Sequence, residues 1–239
     1  MLKRKLEEIL SLVYRRIIYP FVRMATEVRR KSIMKQGSYL NKGSVLCGKN
    51  YVGKNTVLSN VILGYGSYVN SRGDLSNTRI GRYSSIGSGV RTVLGRHPVR
   101  GFAALHPAFY SSKGQMGYSY VKKDSFEEAE YIDKALGIQV EIGNDVWIGN
   151  DVSILEGARI GDGAVVGAKA LVKGELEAYG IYAGIPAKKI GERFDRDKAE
   201  ELLKLKWWDR DEAFIRSNID AFKDPDRLIL ALKEGRDHE

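Results

Sequence analysis

Histidine is scarce in this chain. There are three among 239 residues, and two of them stand nine residues apart in matching His-Pro pairs: His97 in LGRHP and His106 in LHPAF. An imidazole ordinarily ionises near neutrality, so it suits proton transfer from a hydroxyl, metal ligation or plain packing. Metal ligation fits poorly, because two histidines at that distance, with His238 in the tail, do not reproduce a ligand spacing. Base chemistry and turn-shaping stay open, since proline biases its predecessor toward extended geometry. Tyr110, Gln115 and Tyr118 follow in the same stretch and carry groups able to hydrogen-bond a polar acceptor. One phosphate-loop pattern is a decoy. GSVLCGKN (43–50) ends in Asn50 where a metal-binding hydroxyl belongs. Its Cys47, the single cysteine, reads as a small buried residue.

The elements that must position these side chains follow a six-residue period. Residues 142–177 read IGNDVW, IGNDVS, ILEGAR, IGDGAV, VGAKAL, VKGELE. Ile142, Ile148, Ile154, Ile160, Val166 and Val172 open the units, and small or aliphatic residues fill the fifth place, ending with Leu176. That period fits neither one helix nor one long strand. It predicts short strands joined by tight corners and stacked as a parallel β-helix, each rung burying its apolar face against its neighbours. Looser units open at Val52, Leu63, Val69, Ile80 and Ile86, with slips of phase between them. The two blocks are read as one solenoid over 37–194, interrupted at about 96–138 by a long loop that holds both histidines. Loops of that length in compact domains are commonly functional.

Both flanks read as helical. Residues 1–36 hold ten Lys/Arg and three acids, +7 of the chain's +9. Leu6, Ile9, Leu10, Val13, Ile17, Phe21, Met24 and Val28 recur at helical steps, with Pro20 expected to kink or divide the helix. Such a segment either packs on its own domain or a neighbouring subunit, or lies on an anionic membrane surface through residues 1–30. The apolar run IIYPFV is too short to span a bilayer. No nucleic-acid motif accompanies the charge, so nucleic acid is not an expected partner. Residues 195–239, with Leu202, Leu203, Leu205, Trp208 and Phe214 at near-helical spacing, are expected to cap the end of the coil. A lone cysteine excludes an intrachain disulfide and fits a cytoplasmic setting.

Four features together resemble the hexapeptide-repeat acyltransferases, in the branch acting on xenobiotics and polysaccharides. They are the IGNDVWIGNDV rungs, the GRHP loop, AGIPAKKIGERF at 183–194 and KWWD at 206–209. The resemblance implies a mainly β fold: a left-handed parallel β-helix with a long inserted loop, flanked by N- and C-terminal α-helices. It implies a homotrimer with active sites between subunits and acetyl-CoA as acyl donor. By that resemblance His97 is the catalytic base in direct transfer, and a coil N–H stabilises the oxyanion. His106, Tyr110, Gln115 and Tyr118 are placed on the acceptor side. Trp147, Gly167, Ala168, Gly184, Pro186, Lys188 and Lys189 are placed on the donor side, with a solvated lysine pair as the plain alternative for the last two. No metal is implied.

The function expected is O-acetylation of a carbohydrate hydroxyl on a surface polysaccharide or its precursor. The alternatives are antibiotic acetylation, N-acetylation of an amino sugar, or a β-solenoid scaffold without catalysis, since a fold does not fix a function.

Overall fold

The computed structural model describes residues 13–41 and 43–235. Leu6, Ile9, Leu10 and His238 lie outside the described residues. The first coil carries β1 (Ile33–Met34), β2 (Tyr39–Leu40) and β3 (Val45–Leu46). The second carries β4 (Tyr51–Val52) and the long β5 (Val57–Leu63), and the third β6 (Tyr68–Val69) and the long β7 (Asp74–Ile80). The fourth holds β8 (Ser85–Ile86), β9 (Arg91–Val93) and β10 (Val140–Ile142), with the inserted loop between the last two. The fifth holds β11 (Trp147–Ile148), β12 (Ser153–Leu155) and β13 (Arg159–Ile160), and the sixth β14 (Val165–Val166), β15 (Leu171–Val172) and β16 (Glu175–Leu176). Strand β17 (Gly180–Ala183) opens another coil, and β18 (Lys188–Glu192) folds back antiparallel on its edge.

Each strand pairs in parallel with its counterpart one coil away, which produces three faces. The first runs β1, β4, β6, β8, β11, β14, β17. The second runs from β2 through the N-terminal halves of β5 and β7 to β9, β12 and β15. The third runs from β3 through their C-terminal halves to β10, β13 and β16. All six residues that open the regular repeat units are buried, as are the five openers of the earlier block. They stack coil upon coil into one apolar core, as the six-residue period requires.

The slips of phase have a structural cause. Strands β5 and β7 run straight through the corner between the second and third faces, with Asn60 and Asn77 at positive φ of 54° and 49°. Asparagine tolerates that backbone region. Neighbouring early coils are consequently linked by contacts 17 residues apart, and the later regular ones by contacts 18 apart. Leu176 also departs from its expected place. It pairs with Ile160 and sits where a unit-opening residue belongs, because the preceding corner is shortened.

Asn50, from the decoy motif, is a buried bracket. Its side chain accepts from Gly48 N (2.9 Å) and donates to Gly64 O (2.7 Å) and Ser67 O (3.0 Å). Cys47 is exposed rather than buried, because it follows inward-facing Leu46 on the alternating backbone.

At the N-terminal end a π turn (Tyr14–Ile18) meets α1 (Tyr19–Arg30) with Pro20 in its first turn, where a missing N–H is tolerated. Pro20 thus divides the helix. The C-terminal helices α2 (Arg196–Leu205), α3 (Glu212–Ser217) and α4 (Pro225–Glu234) are each capped by an aspartate, Asp195, Asp211 and Asp224. Leu202, Leu205, Leu228, Ile229 and Leu232 bury against one another and Tyr179. Trp207 packs on Tyr83 at 5.1 Å and Arg82 donates to Trp208 O at 3.0 Å. These helices therefore touch both the last coil, at Tyr179, and the flank of the earlier ones, at Arg82 and Tyr83. The edge of the first face, at β17, is covered by β18.

Candidate active site

The inserted loop leaves the coil at the corner between the second and third faces. Arg82 N bonds the Asn144 side chain across a separation of 62 residues, against 17 or 18 elsewhere. One carboxylate ties both ends of the loop. Glu156, just after β12, has a side chain only 6% exposed. Its Oε2 accepts from Gly95 N (3.0 Å) at the loop's entry and from Gln139 Nε2 (2.8 Å) at its exit, while its Oε1 lies 3.2 Å from Arg96 Nε. An amide ladder continues from there: Asn77 Nδ2 donates to Gln139 Oε1 (2.6 Å) and Asn60 Nδ2 to Asn77 Oδ1 (3.0 Å). Sequence reasoning missed this ladder. Its signal was a run of polar residues at corner positions on successive coils, visible only once the coils are in register.

Within the loop, Phe102, Tyr110 and Phe126 form an aromatic knot with ring centroids 5.5–6.2 Å apart. The exposed His97 stands beside it. His97 Nδ1 lies 2.9 Å from the Leu105 carbonyl and 2.8 Å from the Tyr110 hydroxyl. A carbonyl oxygen only accepts, so Nδ1 carries a proton, and in the neutral ring Nε2 is the nitrogen that keeps its lone pair. That is the tautomer a general base requires. Burial pushes the Tyr110 hydroxyl above its ordinary pKa and keeps it neutral, with the Glu128 charge acting the same way.

The other expected acceptor-side residues divide. Tyr110 is fully buried and supports His97, so it does not line a surface. Gln115 is held by Glu128, at 3.0 and 3.3 Å. The Glu128 carboxylate also accepts from Lys113 Nζ and Ser111 Oγ at 2.8 Å each. His106 caps the short 3-10 turn Pro107–Phe109 through Nδ1, which accepts from Ala108 N at 3.2 Å. Its ring stacks with exposed Tyr118 at 5.9 Å. Phe109 and Tyr120 extend that exposed aromatic surface, at 5.3 Å from each other. Tyr120 was not singled out from the sequence.

The residues expected on the donor side lie on or next to the adjacent strands β11, β14, β17 and β18. Trp147 is on the first face, 58% exposed, between Ser85 and Val165. Gly167 and Ala168 form the next corner one coil on. A Cβ on Gly149 would meet Ala168 N at 2.6 Å, which shows how closely these corners stack. Gly184, at φ 99°, accepts from Leu171 N, and Pro186 follows in the same turn. Lys189 is already engaged by Glu177 (2.7 Å) and Glu192 (2.6 Å), which raise its pKa. Lys188 is exposed and makes no ion pair among the described residues. Among those residues there is also no grouping of three or more His, Cys, Asp or Glu able to hold a metal.

Comparison with known proteins places the repeat. Residues 139–174 match the bacterial transferase hexapeptide family (six repeats). A probable macrolide acetyltransferase of Lysinibacillus sphaericus is 49% identical over 45 residues, 19% of this chain and 25% of that protein. A chloramphenicol acetyltransferase of Agrobacterium fabrum is 51% identical over 39 residues, 16% of this chain and 19% of that protein. The matches thus span a quarter or less of these relatives' length. Among solved structures, a maltose O-acetyltransferase from Clostridium difficile is 21% identical with a TM-score of 0.46, covering 68% of this chain and 72% of its own. An N-acyltransferase from Bacillus cereus in complex with dTDP and coenzyme A is 21% identical with a TM-score of 0.48, covering 77% and 95%.

Proposed function

We propose that this chain, a hexapeptide-repeat protein, is an acetyl-CoA-dependent O-acetyltransferase. Its acceptor is a carbohydrate hydroxyl on a surface polysaccharide or its precursor in the cytoplasm. The observation that carries the reading is His97: Nδ1 bound to the Leu105 carbonyl, Nε2 free, on a loop tied to a hexapeptide coil.

In the proposed step, His97 Nε2 takes the proton of the acceptor hydroxyl as that oxygen attacks the thioester carbon. The carbon–sulfur bond then breaks, the ester forms, and the proton passes to the departing CoA sulfur. A backbone N–H of the coil stabilises the transient oxyanion. Imidazolium formation strengthens the Nδ1–H bonds to Leu105 O and Tyr110 Oη. The donor side is assigned to Trp147, Gly167, Ala168, Gly184, Pro186 and Lys188. Lys189 serves less directly, since two carboxylates hold it.

A homotrimer fits the placement of these groups. The loop leaves one corner of the prism after β9, and Trp147 stands on the first face. A loop from one copy reaching the donor face of the next would unite them. A second reading, acetylation of an antibiotic, is favoured by the names of the two relatives that match the repeat.

The test is His97→Ala in a thiol-release assay across glycans, sugar nucleotides and antibiotics. Turnover should fall by about 10²–10⁴-fold with donor binding retained. Unchanged turnover with the best acceptor would remove His97 from the chemistry.

A further inference from the structure

Helix α1 is mounted with its apolar stripe outward. The side facing the first coil is polar or amphipathic. The Tyr19 ring is buried 4.6 Å from that of Tyr39, and its hydroxyl accepts from Leu40 N at 2.7 Å. Glu27 Oε1 accepts from Met34 N at 2.7 Å, and the Arg23 guanidinium donates to Met34 O. Opposite them stand Ile17, Phe21, Met24 and Val28, exposed by 59, 67, 59 and 76%. An amphipathic helix ordinarily turns such a stripe inward. Here the core is already closed by Tyr19, and the stripe is left for something else.

The charges around the stripe identify that partner. Arg16, Arg29, Lys31 and Lys35 are exposed. The single acid between residues 13 and 36, Glu27, is half-buried and bound to Arg23 and Met34 N. Every exposed side-chain charge of this described segment is therefore positive. A second copy of the same face would bring like charges together. An anionic bilayer surface takes both features, the apolar side chains among its acyl chains and the cations at its headgroups. Among the described residues no helix is long and apolar enough to cross a membrane, so the contact is peripheral.

We infer that α1 and the π turn before it dock the protein on an anionic lipid surface, through Ile17, Phe21, Met24 and Val28 flanked by Arg29 and Lys31. Docking at the coil's N-terminal end uses no group from the inserted loop, so it stands or falls apart from acetyl transfer.

The experiment is flotation of the full-length protein with vesicles of phosphatidylcholine alone or mixed with phosphatidylglycerol, alongside light scattering for oligomeric mass. The protein should float with the anionic vesicles only. Phe21→Ser/Met24→Ser/Val28→Ser and Arg16→Gln/Arg29→Gln/Lys31→Gln should each weaken partitioning on the order of a hundredfold at unchanged mass. Equal binding to neutral vesicles, no binding to anionic ones, or binding retained by either variant overturns the inference. A fall in oligomeric mass in the serine variant would assign the stripe to a second copy and overturn it too. His97→Ala should float like the parent protein, which keeps this result separate from the catalytic one.

Discussion

Buried Tyr110 presents its hydroxyl 2.8 Å from Nδ1 of exposed His97. The aromatic knot fixes the tyrosine, and the tyrosine with the Leu105 carbonyl fixes the imidazole. Tyr110→Phe keeps the ring packing against Phe102 and Phe126 and removes only the oxygen. Its melting temperature should stay close to the parent's. Its kcat should fall about 3- to 10-fold, the worth of one hydrogen bond of about 1 kcal/mol, with KM for the donor unchanged. Steady-state kinetics beside a thermal melt separate this from Tyr110→Ala, which should lose about 3–5 kcal/mol of stability.

Glu156 governs the loop as a whole. Removing its carboxylate strands the buried Gln139 amide, frees Gly95 N and leaves the Arg96 side chain to Glu130 and Glu127 O. Glu156→Ala is expected to lose about 1–3 kcal/mol through unsatisfied polar groups. Cleavage by trypsin should accelerate within 94–139 while the coil keeps its far-ultraviolet β signature. Equal loss of both would mean that Glu156 supports the coil and not the loop.

The second tie in the loop is acid-sensitive. The Lys113 ammonium, with Ser111 and Gln115, holds the Glu128 carboxyl below its ordinary value of about 4.5 despite burial. A depressed folded-state pKa stabilises the folded loop above the unfolded value, and that stabilisation is lost as pH falls through the folded one. Amide exchange over 111–128, corrected for its intrinsic pH dependence, should thus be steady from neutrality to about pH 5 and rise below about 4.5. In Glu128→Gln that acid-dependent rise should disappear.

The coil was legible from sequence because each unit-opening residue obeys one local rule, apolar and inward. Ile148 and Val166 could be placed without knowing any partner. His97 and Trp147 were legible as candidates because their residue types and flanking motifs are uncommon. Tyr110, Glu156 and Gln139 are different. Their roles arise from contacts across 13, 61 and 62 residues of chain, which no local pattern encodes. The sequence left the orientation of helix α1 open for a related reason. Its period marked an apolar face, but which face meets the coil depends on Tyr19 fitting beside Tyr39.

Close stacking of the corners can be tested with opposite signs. At Gly149 a Cβ would lie 2.6 Å from Ala168 N and 2.9 Å from its Cα, backbone atoms that cannot swing aside. At Gly191 the nearest atom would be the Ile181 side chain at 3.8 Å. Gly→Ala ordinarily stabilises by about 0.4–1 kcal/mol through the unfolded chain. Gly191→Ala should follow that rule or be neutral. Gly149→Ala should destabilise by about 1–3 kcal/mol, as overpacking does. Denaturant titration of both variants decides it, and equal effects would mean the coils can spread.

Trp147 separates a binding surface from a structural one. It stands outward on β11 beside Ser85 and Val165, more than half exposed. Removing it leaves no cavity in the core, so Trp147→Ala should alter stability by no more than about 0.5 kcal/mol. If the indole lies along the donor, KM for acetyl-CoA should rise about 3- to 10-fold, matching about 0.5–1.5 kcal/mol for one aromatic contact. The kcat should change little, because the indole does not touch the reacting hydroxyl. A face buried between copies would answer differently: oligomeric mass would fall and KM would move only with assembly. Measuring KM at several protein concentrations, with scattering on the same samples, distinguishes the two. A concentration-independent rise in KM at constant mass assigns Trp147 to the donor.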